Sequence, residues 1–168
     1  MVMKMYRDLF GDLRKEPIDY AKKIVSKGIS KPFYKIKARV NRNGVNLRFV
    51  DDKLNLVRLT YPGYYAIYRK VKGELECLYV GRTDHHIYSR VHRWAKGVCG
   101  KLRDDEIHTG GTLARNHGVN LKDELLVKCI EMQEAMELID DDRYQTWPLD
   151  EWIAPILKSK FNTNERYM

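Results

Sequence analysis

The chain has 168 residues, 43% of them hydrophobic and 32% charged, with a net charge of +8. That length fits one domain with appendages, and the apolar fraction is enough for a packed core. No apolar run reaches the ~20 residues of a membrane-spanning helix, and Cys77, Cys99 and Cys129 form no CxxC pair, so a membrane protein, a disulfide framework and a cysteine zinc site are not expected.

The N-terminus is charged from Lys4 onward, so no signal peptide is expected, and the scattered cysteines fit a reducing cytoplasm. Charge is unevenly spread. Residues 1–60 hold 15 Lys and Arg against 6 Asp and Glu, whereas residues 61–168 hold 16 against 17. A basic block beside a near-neutral module points to a polyanion-binding surface attached to a working unit, with nucleic acid as the partner.

Residues 4–14 and 17–27 read as short helices. Ile18, Ala21, Ile24 and Val25 give the second a stripe, Pro17 suits its first turn, and Gly28 is expected to stop it. From Tyr34 the pattern turns extended: Tyr34, Ile36, Ala38 and Val40 alternate with Lys35, Lys37 and Arg39. Asn43-Gly44 is a hairpin turn signal, Val45, Leu47 and Phe49 resume the alternation, and Asp51-Asp52 marks another turn. Residues 64–71 and 75–80 form the next hairpin, turning at Lys72-Gly73. A helix over 87–97 follows, with Ile87, Val91, Trp94 and Ala95 on one side and Gly97 at its end. The segment 98–121 is polar and broken by Gly100, Gly110, Gly111 and Gly118, and reads as a long, mobile loop. Residues 124–132 read as a buried strand, Gln133 to about Ile139 as a helix, and 148–158 as a last helix with Pro148 near its start.

Gly63-Tyr64-Tyr65 and Tyr79-Val80-Gly81 resemble the paired motifs of the GIY-YIG nucleases. Arg90 lies on the helix after the second motif, where the family carries its arginine. Asp150 and Glu151 lie on a helix near the C-terminus. Leu157-Lys158-Ser159-Lys160-Phe161-Asn162 is similar to the family's closing Leu-Lys-Pro-Lys-Tyr-Asn. The resemblance covers about residues 60–163. It implies an α/β (α+β) fold with a three-stranded mixed sheet flanked by helices, behind a basic N-terminal extension. On this reading residues 1–60 are a DNA-binding arm and residues 61–168 the catalytic domain, with 98–121 as an inserted loop.

The resemblance also assigns roles. Tyr65 is the candidate base, Tyr79 positions water or phosphate, Arg90 grips the scissile phosphate, and His92 shares a proton or contacts phosphate. A free phenol has a pKa of about 10, so Tyr65 needs a neighbouring cation, for which Lys70, Lys72 and His92 are candidates. Glu151 is the candidate ligand for Mg²⁺ (or Mn²⁺), which takes oxygen ligands and keeps several waters. Counting back from Asn162 instead sets Asp150 where a common spacing has Glu, so Asp150 is the alternative ligand. Pro155 is expected to kink this helix and turn Glu151 into the site. Arg82, Lys70 and Lys72 near the motifs, Lys35, Lys37, Arg39 and Arg42 in the arm, and Arg115 and Asn162 beyond are candidate contacts to double-stranded DNA. His108 and His117 flank a glycine-rich stretch and are left undecided.

The module stands last, behind about 60 basic-rich residues, a layout similar to compact type II restriction enzymes of this family. The expectation is a metal-dependent endonuclease that cuts duplex DNA as a homodimer. A phage-type endonuclease of loose specificity and a non-catalytic nucleic-acid-binding protein of the same fold are the alternatives.

Overall fold

The computed structural model describes residues 15–162; the helix expected over 4–14 lies outside the described residues. Helix α1 (Lys15–Ile29) buries Ala21 and Ile24. It does not stop at Gly28, which lies against the Ile130 side chain. Strands β1 (Tyr34–Asn41) and β2 (Gly44–Val50) form a hairpin, and β3 (Leu56–Val57) adds two residues beside β2. Strands β4 (Gly63–Val71) and β5 (Glu74–Thr83) form the second hairpin. Lys72 and Gly73 at its turn both have positive φ, 52° and 80°, as a tight turn matched to strand twist demands. Then come α2 (Ile87–Cys99), α3 (Thr109–Asn116), β6 (Glu124–Glu131), α4 (Met132–Leu138) and α5 (Asp150–Ile156).

The strands make one six-stranded sheet in the order β3-β2-β1-β6-β4-β5, and every pairing is antiparallel. This corrects the expected three-stranded mixed sheet. The expected strands β4, β5 and β6 are present, but β1 bonds to β6 through Tyr34↔Val127 and Lys35↔Leu126, so the basic meander extends the same sheet. Among the described residues no helix is long and apolar enough to cross a membrane.

Alternation along the strands sorts two cores, one on each side of the sheet. On one side Ile36, Phe49, Tyr65, Ile67, Leu78 and Val127 meet Val91, Trp94 and Ala114 from α2 and α3. On the other, Tyr64, Ala66, Val80 and Ile130 meet Ala21 and Ile24 of α1, Ala135 of α4, and Ile153 and Ala154 of α5. Trp94 is fully buried; truncating it to Ala is expected to cost about 3–5 kcal/mol.

Two further expectations are corrected. Gly97 does not end α2, which runs to Cys99 and is capped by Gly100 in the left-handed region, φ 71°. The segment 98–121 is not a continuous loop, because α3 forms inside it. Glycine disfavours helix by about 1 kcal/mol per residue, yet Gly110 and Gly111 open α3. Packing explains them: a Cβ on Gly111 would stand 2.5 Å from the Trp94 carbonyl oxygen and 3.2 Å from the Gly97 Cα. The two helices touch where neither has a side chain.

After α5 the chain returns to β5. The Lys160 and Phe161 N–H groups donate to the Cys77 and Leu78 carbonyls. Asn162 accepts from the Val80 N–H at 2.8 Å and donates to the Val80 carbonyl at 2.7 Å.

Candidate active site

Cross-strand register builds the site. Tyr65 pairs with Gly81 and Ile67 with Tyr79, so both tyrosines stand on the α2 side of the sheet. Their ring centroids are 6.2 Å apart. Gly81 is what admits Tyr65: a Cβ there would come within 2.4 Å of the phenol oxygen. Gly110 does the same for Tyr79, since its Cβ would meet the ring at 2.4 Å. The glycine pair at the start of α3 thus fits between Trp94 and Tyr79.

Burial raises the Tyr65 hydroxyl well above the ordinary phenol value; Tyr79 and Asp150 push the same way and Arg90 opposes them. Tyr79 is also raised, by burial first and then by Asp150, again with Arg90 opposing. Arg90 thus lowers and Asp150 raises both phenols. The cation beside Tyr65 is Arg90, not Lys70, Lys72 or His92. Lys70 and Lys72 are exposed at the far end of the β4–β5 hairpin. Arg90 is itself exposed; its backbone N–H donates to the His86 carbonyl, and its guanidinium makes no ion pair among the described residues.

The carboxylate that acts on both phenols is Asp150. Its pKa is pushed up to about 6, by burial and then by Glu151, against backbone N–H groups and Arg82. Its Oδ1 is buried with no hydrogen-bond partner. Helix α5 packs its apolar residues on the side of the sheet away from α2. Helix α5 also contacts β5, the outermost strand of the sheet. Glu151 is half-buried beside Asp150 and makes contacts of its own. Pro155 falls in the last turn of this seven-residue helix, behind both carboxylates.

A hard, unpartnered carboxylate oxygen suits Mg²⁺ or Mn²⁺. Among the described residues no group of three or more His, Cys, Asp or Glu converges on one position, so the fit is to an ion held by one or two carboxylates and its own waters.

His92 is engaged elsewhere: its Nε2 lies 2.8 Å from the Val45 carbonyl oxygen and its ring stacks on Tyr88. The histidine at the phenols is His108. It is buried, meets Tyr79 edge-on at 4.9 Å between centroids, and accepts the Gly111 N–H at Nδ1, capping α3. Burial, Arg90 and Arg93 lower its pKa to about 4. It is therefore neutral, with Nδ1 accepting and its proton on Nε2. A histidine three residues before a glycine is a faint capping signal, and nothing in the chain order links it to Tyr79.

The other candidates are dispersed. Arg82 pairs with Asp84 at 3.0 Å, lies over the Tyr64 ring and acts on Asp150, so it supports the carboxylate. The Arg115 guanidinium lies against Gly100. Asn162 spends its amide on Val80. Arg42 is exposed at the β1–β2 turn, and Lys35, Lys37 and Arg39 are exposed along β1.

No protein-family model, curated protein or solved structure matches this chain.

Proposed function

We propose that this protein is a divalent-metal-dependent endonuclease of double-stranded DNA, built as the GIY-YIG nucleases are. One observation carries the reading: Tyr65 and Tyr79 stand with ring centroids 6.2 Å apart on the face of the sheet covered by α2, the helix that bears Arg90.

Arg90 is free to take the scissile phosphate through two parallel N–H bonds. Both phenols are protonated at neutral pH, so each enters as a hydroxyl that aligns the phosphate and the attacking water. Tyr65 becomes a base only as positive charge gathers around it in the loaded site. His108 supplies a fixed Nε2–H donor beside Tyr79. Asp150, with Glu151 next to it, would hold the ion, which when bound relieves charge on the phosphate and the leaving oxygen. The basic residues of β1 and β2 suit a polyanion. The finer reading is a type II restriction enzyme acting as a homodimer.

The test is digestion of unmethylated plasmid by the purified protein with Mg²⁺. Discrete fragments are expected, and none with Asp150→Asn. Intact plasmid across Mg²⁺ and Mn²⁺ concentrations would reject the reading.

A further inference from the structure

The register of β1 and β2 assigns their basic side chains to one face. Lys37 is directly opposite Arg48, and Arg39 opposite Asn46. Lys35 is opposite Leu126 of β6, which is opposite Tyr68 of β4. Tyr34 is opposite Val127, which is opposite Ile67, the partner of Tyr79. So Lys35, Lys37, Arg39, Asn46 and Arg48 share the side of the sheet away from the phenols.

Among the described residues nothing covers the basic side chains of that face. All five side chains are exposed, and among the described residues none makes an ion pair. Residues 34–50 hold five basic residues and no acidic one. Like charges directly across a strand pair destabilise it, so the Lys37–Arg48 pair costs the free protein stability that a polyanion would return. The residue types matter as well: Arg and Lys suit guanine edges, and Asn suits adenine.

Size agrees. A major groove about 12 Å wide admits a two-stranded ribbon, whose strands are ~4.8 Å apart. Strand rise and base-pair rise are both ~3.4 Å, so side chains two apart on one face meet every second base pair. Lys35, Lys37 and Arg39 then span about five base pairs.

We propose that the β1–β2 ribbon is the sequence-reading element: it lies in the major groove of B-form DNA with Lys37, Arg39, Asn46 and Arg48 at base edges and Arg42, at the turn, on phosphate. This rests on the reading of the protein as a DNA endonuclease, and it names how that enzyme finds its site. The bases read and the phosphate cut then lie against opposite sides of the sheet.

Binding is measured in EDTA, which separates recognition from cleavage. The full chain first selects its preferred duplex from a randomised pool. Arg39→Ala, Asn46→Ala and Arg48→Ala are each expected to weaken that duplex about 5- to 150-fold while leaving a scrambled duplex nearly unchanged. Arg42→Ala is expected to weaken both equally and to flatten the salt dependence by about one ion. Equal losses on selected and scrambled duplex would overturn base reading, as would no loss at all. Equal binding of the same sequence as duplex RNA would also overturn it, because the deep A-form groove excludes a ribbon. Selective binding without any cleavage in Mg²⁺ would sustain the ribbon and remove the endonuclease reading.

Discussion

The ring of Tyr65 lies across the Cα of Gly81, its cross-strand partner, and a Cβ at Gly81 would come within 2.4 Å of both Cζ and Oη of the phenol. The phenol cannot occupy this position over any other residue. Gly81→Ala is therefore expected to displace Tyr65. Misplacement by about 1 Å costs ~100-fold in rate, and overpacking costs about 1–3 kcal/mol. Cleavage rates alongside thermal melting check this; full activity in a folded Gly81→Ala protein would contradict it.

Asp150 sets function against stability. Its folded pKa of about 6 lies above the ordinary carboxyl value of about 3.9. A raised carboxyl pKa stabilises the fold below about pH 4, and that gain is lost as pH rises through 6. Asp150→Asn is thus expected to stabilise the protein at pH 7 by about 1–3 kcal/mol, allowing for partial solvent screening, while abolishing cleavage. The difference in melting temperature from the parent should shrink as pH falls from 7 to 4. Mg²⁺ binding should weaken about tenfold per pH unit below 6, measured by titration calorimetry.

Arg90 carries no structural duty among the described residues. Arg90→Lys keeps the charge and loses the planar fork. The expected outcome is a fall of about 10- to 100-fold in kcat/KM with melting within about 0.5 kcal/mol of the parent.

The two histidines should behave oppositely. His92→Ala removes the contact to the Val45 carbonyl, costing about 1 kcal/mol with cleavage kept within a few-fold. His108→Ala removes the α3 cap, also about 1 kcal/mol, but takes away the ring packed edge-on against Tyr79 and should lower cleavage at least about tenfold. The depressed His108 pKa, about 4, means its share of stability is full above pH 6.5 and lost on acidification toward 4. His108→Asn keeps a capping acceptor and should make the fold less acid-sensitive, as read by circular dichroism.

Local signals carried the hairpins and missed what packing decides. Lys72-Gly73 marks its turn because turn geometry is local, and Asn43-Gly44 marks the other to within one residue, the turn pair being Arg42-Asn43 with Gly44 already opposite Asn41. Tyr65 was named by the resemblance, and it is the strand pleat of the structure that sets it on the α2 side and Tyr64 on the other. Helix α3 was not legible, because Gly110 and Gly111 weaken local helix preference and are needed only against Tyr79 and Trp94. The β1–β6 pairing was hidden because two register pairs between strands some 90 residues apart leave no periodic trace. Asp150 and Glu151 differ by one helical step, and only the burial of the Asp150 Oδ1 separates them.

The segment 160–162 lies along β5 and occupies the Cys77, Leu78 and Val80 backbone groups, while the opposite margin of the sheet is a strand of only two residues. Along that stretch of β5 an incoming strand finds these backbone groups taken, whereas among the described residues the outer edge of β2 from Gly44 to Arg48 and that of β1 from Ile36 to Asn41 carry no strand. Sheet-to-sheet joining of two copies is thereby hindered at the return segment and left to the β1–β2 ribbon, whose basic side chains repel a second ribbon.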